Sequence, residues 1–399
     1  MTDDLLLLNP GPVPIDRRVR AAMDAPMISR RSDEFGEIYE RARDGLRTVF
    51  MRSTPDGSAT ATGGTTLLLN GTATMGMEAA IANLTDPDSE VLALVNGQFG
   101  ERFATIAEGY ATVRRVEAEW GTSFDLADVE TAIDGADLVT MVHDETSTGL
   151  SNPVGAVGRL VAERDALFVV DGVSSIGGEE FRIDDWGVDV AVTDPQKALA
   201  SPPGISALYL SDAAIKALDD SHAPTYQNLV DYLDAAADRR TPYTAASPQI
   251  RALAVALDLI DAEGMPARIE RHRRWAETVR ESVRAMGLEP FADPVAPSSY
   301  ANTLTAVSFP DGVRGVPERV ERFDTALAER NVSVGGGLGH LDGHLFRVSN
   351  MGAITPAQLR DGLRAIGESL DAAGADVDVA AGVAVADERL SSDPETGGE

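Results

Sequence analysis

Between Gly57 and Leu210, short apolar runs alternate with segments whose apolar positions recur at helical spacing. Glu90–Asn96 (EVLALVN), Ala136–His143 (ADLVTMVH), Ala166–Asp171 (ALFVVD), Val188–Thr193 (VDVAVT) and Ile205–Leu210 (ISALYL) are nearly continuous in apolar residues. Strands without polar alternation are buried on both faces, as in a parallel or mostly parallel sheet covered by helices. Thr74–Leu84, Ser123–Ile133 and Gly155–Arg164 carry the intervening helical patterns. This alternation predicts an α/β fold with a large doubly wound domain. Pro248–Arg284 predicts a long helical segment leading into a smaller α+β domain. There Thr303–Phe309 and His344–Ser349 read as strands, and Pro317–Arg330 and Pro356–Ala373 as helices. The expected divisions are an N-terminal arm (1–20), a large domain (21–250) and a small C-terminal domain (251–375). A flexible acidic tail (376–399) is expected last, because Ala, Asp, Glu, Ser and Gly recur there without a strong period.

Composition narrows the function. The 399 residues carry 64 acidic against 34 basic side chains, a formal charge of −30. Nucleic acid is therefore not an expected partner, since phosphate contacts need clustered Lys and Arg. No apolar run approaches the ~18 residues of a membrane-spanning helix. The start Met1-Thr2-Asp3-Asp4 lacks the positive head of a secretory signal. A cytoplasmic location with no membrane partner is expected. The absence of cysteine excludes disulfides, thiolate zinc sites and a cysteine nucleophile. Lysine occurs only at Lys197 and Lys216, so the basic count is otherwise arginine. Such an acid-rich, lysine-poor chain suits a high-salt cytoplasm, where ions screen surface repulsion. The scarcity also singles out the lysines that remain, because an amine can lose its proton and form a Schiff base, whereas a guanidinium cannot.

In an open α/β sheet, ligands gather at the carboxyl ends of strands. Asp171 ends one predicted strand, and Lys197 follows another within Asp194-Pro195-Gln196-Lys197. His143-Asp144-Glu145-Thr146-Ser147-Thr148-Gly149 leaves a third, and Asn70-Gly71-Thr72-Ala73-Thr74 opens a helix. The helix start, with the Gly71–Thr74 N–H groups and the Thr72 and Thr74 hydroxyls, suits a phosphate. Asp171 suits a pyridinium nitrogen, and Lys197 suits an aldehyde and then proton transfer at a substrate α-carbon. Phe99 can stack on one ring face while Val173 packs the other. These parts together describe pyridoxal 5′-phosphate.

At these residues the chain resembles the class V aminotransferases of the fold-type I pyridoxal-phosphate enzymes, nearest the alanine–glyoxylate/serine–pyruvate branch. The likeness runs from Asn9-Pro10-Gly11-Pro12-Val13-Pro14 to about Gly367. Its most specific part is Gln196-Lys197-Ala198-Leu199-Ala200-Ser201-Pro202-Pro203-Gly204, where the family places its Schiff-base lysine before a Pro-Pro-Gly turn. The resemblance implies that Thr146 contacts the ring, Asp171 its nitrogen, Val173 its face, and Gln196 the phosphate region. It implies that Arg347 grips the substrate carboxylate with Gly11 on the substrate side. It further implies that Thr244 reaches the phosphate of the other subunit in a homodimer with composite sites. Two departures stand out: Phe99 where eukaryotic members carry tryptophan, and Ala73-Thr74 where a Gly-His pair often occurs. The expected reaction moves an amino group from serine, alanine or aspartate to glyoxylate or pyruvate. The alternatives are an aminotransferase for ureidoglycine or an aminophosphonate, or a lyase on the same cofactor.

Two other signals carry less. Gly335-Gly336-Gly337-Leu338-Gly339 fails the G-x-G-x-x-G register, because the final position is Asp342. His340 and His344 are four apart, but Gly339 and Gly343 argue against the helix that would align them, so no metal site is expected. Lys216 reads as a helix-surface residue.

Overall fold

Each of the five apolar runs forms a strand, and in a computed structural model describing residues 5–219 and 221–391 they lie in one seven-stranded sheet. Its spatial order is Thr65–Asn70, Ile205–Leu210, Val190–Thr193, Leu167–Asp171, Leu138–Val142, Glu90–Val95, Thr112–Glu117. All neighbours are parallel except Ile205–Leu210, which runs antiparallel to both strands beside it. The sheet is thus mostly parallel, as its unbroken apolar runs require. The two outermost strands fall outside the expected runs. Thr112–Glu117 (TVRRVE) is a half-exposed edge whose Arg114 and Arg115 pair with Glu90, Glu101 and Glu108, so water and charge replaced the apolar signal.

Helices cover both faces and build a core from Phe35, Leu46 and Phe50 through Leu67–Leu69 to Val169, Val192 and Leu208. The helix Ala73–Leu84 sits close on the antiparallel strand. A Cβ at Gly76 would lie 2.2 Å from Ser206 Oγ, so only glycine admits that approach. The expected single segment Pro248–Arg284 is two helices, Ser247–Glu263 and Met265–Ala285, broken at Gly264, whose φ is +79°. Met265 and Ile269 of the second helix belong to the large core, whereas Trp275, Val279 and Val283 belong to another. One rod therefore enters both hydrophobic bodies.

The second core surrounds a four-stranded sheet ordered Leu6–Leu8, Val332–Gly336, Leu345–Ser349, Leu304–Ser308. Phe309, Phe323 and Phe346 form a triangle there with ring centroids 5.2 Å apart. Leu6–Leu8, read as part of an arm, is a strand of this sheet, and Leu8 is fully buried in its core. The expected tail also differs. Val379–Leu390 is a helix, capped by the Asp378 side chain on Ala381 N–H, with Ala386 and Leu390 buried against the second core. Gly382 and Ala386 make up its inward face until Leu390 at the end, which blurs the apolar period on which sequence reading depends. Residues 392–399 of that tail lie outside the described residues.

A Cβ at Gly382 would lie 2.4 Å from Met286 Cγ and 2.8 Å from Ser282 O. Gly382→Leu should therefore destabilise the protein by about 1–3 kcal/mol, the range for overpacking a tight contact. Urea unfolding at fixed salt measures this, and an unchanged midpoint would mean that the helix is not packed as described.

Candidate active site

The strands Leu138–Val142, Leu167–Asp171 and Val190–Thr193 end at one edge of the sheet, and backbone bonds fix how the chain leaves them. His143 N–H donates to Asp171 O (2.9 Å), and Gly172 N–H to Val192 O (2.9 Å). Asp171 is 4% exposed, and its Oδ1 accepts Val173 N–H at 2.8 Å. Burial pushes the Asp171 carboxyl up to about 6, opposed by the Val173 N–H and by Lys197. At neutral pH it remains an anion aimed at the strand edge.

Lys197 stands in the turn after the next strand, with Ala200 N–H donating to its carbonyl at 2.9 Å. Its amine lies 5.9 Å from the centroid of the Phe99 ring. Burial, and next the Arg347 charge, bring the Lys197 amine down to about 8, while Asp171, Asp194 and Glu145 oppose the shift. About one-tenth of the amine is then neutral at pH 7, against under one in a thousand for an ordinary lysine. Gly11 lies along the stem: a Cβ there would be 2.9 Å from Lys197 Cε, and its φ is +124°. Both observations require glycine.

Glu145, to which the sequence assigned no role, organises the contacts around Phe99. It is fully buried, and its Oε2 accepts Phe99 N–H and Gly100 N–H at 3.1 Å each. Its Oε1 accepts Ser147 N–H (3.0 Å) and Ser147 Oγ–H (2.5 Å). A carboxylate against the first turn of the helix Gln98–Ala107 meets both free N–H groups and the positive end of the dipole. That contact holds Phe99 beside Lys197. The available signal was an acid inside a loop of small hydroxyl residues following a buried strand.

Arg347 comes from the second sheet and is 8% exposed. Its Nε donates to Gly336 O (2.8 Å) and Nη1 to Thr146 O (3.2 Å), while no carboxylate among the described residues pairs with it. Burial brings the guanidinium down to about 10, so it stays charged at neutral pH. A buried cation fixed by two carbonyls, with Nη2 left over, is a receptor for an anion. Thr146 Oγ1 and Ser174 Oγ share a 2.5 Å hydrogen bond between the Arg347 contact and Asp171.

At the helix start, Gly71 N–H donates to Gly204 O (3.0 Å), and the Thr72 side chain makes no capping bond. Ala73 N–H donates to Asp194 Oδ2 (3.0 Å), and Gln196 Nε2 donates to the same oxygen (3.3 Å). Asp194, which sequence reading passed over, is thus an anion already sharing the expected phosphate cradle. The Thr72 and Thr74 hydroxyls carry no bond to Asp194. Thr244 is exposed, and its carbonyl accepts Asn70 Nδ2–H at 2.7 Å, so its loop is tied to the strand that runs into Gly71. His340 packs tilted against Trp120, with centroids 4.3 Å apart, and lies in a 3-10 turn rather than a longer helix.

The mostly parallel sheet with a buried amine facing a buried carboxylate at its carboxyl edge defines a fold-type I pyridoxal-phosphate-dependent transferase. The chain belongs to the aminotransferase class-V family, whose profile matches residues 19–348. It is 36% identical over 355 residues to an uncharacterised aminotransferase of Methanocaldococcus jannaschii, covering 87% of this chain and 88% of that one. It is 33% identical over 400 residues to the L-aspartate–glyoxylate aminotransferase of Paracoccus denitrificans, covering 97% and 96%. Its fold superposes on the crystal structure of Bacillus subtilis ureidoglycine–glyoxylate aminotransferase with a TM-score of 0.89 and 28% identity, covering 98% and 99%. The protein is a pyridoxal 5′-phosphate-dependent enzyme of transamination between an amino acid and a keto acid.

The residues present fit that cofactor. A partly neutral buried amine suits its aldehyde, a buried carboxylate its ring nitrogen, and Phe99 a ring face. Asp194 holds Ala73 N–H and Gln196 Nε2–H at the expected phosphate end, and burial raises its carboxyl above the usual carboxylate range.

Two outcomes follow. Gly11→Ala should crowd Lys197 and slow cofactor capture at least several-fold, with an unchanged far-ultraviolet spectrum. Because the Lys197 amine has a lowered value, its neutral form grows as pH rises through about 8. Cofactor capture by cofactor-free protein, followed by absorbance, should therefore rise about tenfold from pH 7 to 9 and then level. A flat profile would contradict the burial argument.

Proposed function

We propose that the enzyme transfers the amino group of serine, alanine or aspartate to glyoxylate or pyruvate. The observation that carries this is Arg347, a buried guanidinium without a carboxylate partner among the described residues, whose charge reaches the Lys197 amine. Donor and acceptor both present an α-carboxylate, so one fixed fork serves both halves of the cycle. Glyoxylate, named in both characterised relatives above, favours it as acceptor. The chain then falls within the alanine–glyoxylate/serine–pyruvate branch.

In this reading the bound cofactor supplies an electron sink that makes the substrate α-hydrogen acidic. Lys197 holds the cofactor and then moves the α-proton, for which an amine near pH 8 is well matched. Asp171 accepts the hydrogen bond of the ring nitrogen, with Phe99 and Val173 on the two faces and Thr146 at the edge. Gly71, Thr72, Ala73, Thr74 and Gln196 hold the phosphate, joined by Thr244 from a second copy in a homodimer. Gly11 leaves space for substrate beside Lys197. The two hydrophobic cores correspond to the large and small domains, the small one carrying Arg347. The acid excess and the near-absence of lysine support a high-salt cytoplasm as its place of work.

Turnover measured at high salt with a panel of amino donors, ureidoglycine among them, against glyoxylate, pyruvate and 2-oxoglutarate tests the substrate class. Lys197→Ala should lose several orders of magnitude of turnover, whereas Lys216→Ala should be nearly silent. Arg347→Ala and Arg347→Lys should lower kcat/KM for amino and keto substrates together by ~10²-fold, as expected for one charge-assisted pair of ~3 kcal/mol. Loss confined to the amino substrate would disqualify Arg347 as the common clamp.

Thermal unfolding tests the salt reading. At ~1 M the Debye length is ~3 Å, so neighbouring surface carboxylates cease to repel. The Tm should climb between low and molar chloride, and a flat Tm would remove the high-salt reading.

A further inference from the structure

Where the chain leaves the strand Leu138–Val142, two carboxyl groups and an imidazole are buried together. His143 is 3% exposed, Asp144 1% and Glu179 7%, and each offers a ligating atom within 4.8 Å of the other two. They come from two segments far apart in the chain, Asp144 opening the short strand Asp144–Glu145, which is why no sequence spacing announced them. Asp144 Oδ1 and His143 Nδ1 have no hydrogen-bond partner among the described residues, although both are sealed from bulk water. Unpartnered atoms at such depth are costly, and two carboxyl groups close enough to hydrogen-bond one another need a proton or a cation between them. Arg280 and Arg159 are the nearby cations, and neither forms an ion pair with Asp144 or Glu179.

The remaining carboxyl oxygens are held in place from outside. Thr303 Oγ1–H donates to Asp144 Oδ2 at 3.1 Å. Ser151 Oγ–H donates to Glu179 Oε1 and Asn302 N–H to Glu179 Oε2, both at 2.9 Å. The His143 ring packs in a triangle with Phe181 and Trp186, with centroids 5.6 and 5.4 Å away. Ligands fixed by such outer partners are the usual setting of a bound metal. A cavity of about 310 Å³, lined by His143, Ser151, Glu179, Arg159 and Trp186 among others, gives an entry path and room for water ligands.

We propose that His143, Asp144 and Glu179 bind one divalent transition-metal ion, a structural site separate from the pocket of Lys197. One imidazole with two carboxylates suits Zn²⁺ or Mn²⁺, whereas Mg²⁺ and Ca²⁺ take all-oxygen sets. The ion ties the loop after Leu138–Val142 to the turn bearing Glu179. Through Asn302 and Thr303 it also ties both to the strand Leu304–Ser308 of the second sheet. Its role is to fix the loop whose next residues are Glu145 and Thr146.

The test uses the cofactor-loaded protein, stripped with EDTA, dialysed, and kept at high salt to suppress non-specific binding by surface acids. Calorimetric titration with Zn²⁺, and separately Mn²⁺, should show one equivalent per chain and a rise in Tm of several degrees, with Mg²⁺ inert. Cofactor absorbance should not change, which separates this site from binding at Lys197. Asp144→Asn and Glu179→Gln, nearly isosteric, should each weaken binding by at least about tenfold and abolish the Tm rise. Ser151→Ala keeps all three ligands and should weaken binding more mildly, a second test if either isostere fails to fold. Absence of stoichiometric binding to the unaltered protein overturns the proposal, and the carboxyl pair then shares a proton. Affinity unchanged in the variants overturns it equally.

Discussion

An amine that must be neutral part of the time cannot live in water, and most of the site follows from taking Lys197 out of it. Burial is the largest influence on that group, and Arg347 is the next. Two cations in one dry pocket would be unstable without nearby anions, and Asp171, Asp194 and Glu145 supply them. None of these carboxylates forms an ion pair with Lys197, so the amine is steadied by charge at a distance rather than neutralised. The seven-stranded sheet is the device that makes this possible. Parallel strands deliver their carboxyl ends to one edge, where each contributes a loop.

Glu145 shows how closely these loops depend on one another. Two of its accepted hydrogen bonds, from Phe99 and Gly100 N–H, bind the segment after Leu138–Val142 to the helix that carries Phe99, and two from Ser147 brace that segment on itself. A Cβ at Gly97 would lie 2.2 Å from Glu145 Cγ, so the helix can approach the carboxylate only because that residue lacks a side chain. Thr146, one residue on, gives its carbonyl to Arg347 from the other sheet. The placement of the Arg347 guanidinium and of the Phe99 ring is therefore set by the consecutive residues Glu145 and Thr146.

Much of this was legible in the chain. The five central strands were readable because burial on both faces leaves an unbroken apolar run, Asp171 because it ends such a run, and Lys197 because it stands in the turn just after one. Edge strands were not, since Thr112–Glu117 meets solvent and reads as a charged loop. The helix Val379–Leu390 was hidden by its own small residues, whose close packing needs no large apolar side chain. Glu145 and Asp194 were overlooked for another reason: their roles lie in backbone N–H groups of distant segments, and an N–H group leaves no mark on sequence. Convergence of His143 and Asp144 with Glu179 is likewise a product of how two segments far apart in the chain meet.

The strand Leu6–Leu8 pairs in parallel with Val332–Val334, about 320 residues further along. At translation rates of roughly 5–20 residues per second, its partner leaves the ribosome tens of seconds after it does. During that interval an apolar segment has no ladder to join, and the rest of its sheet does not yet exist. Closing so long a loop is also slow and entropically expensive. The second sheet is thus completed by the first and last thirds of the chain together, and assembly must be late and all at once. For that interval the nascent chain exposes a strand fit to pair with the wrong neighbour, a hazard of its biogenesis rather than of its finished form.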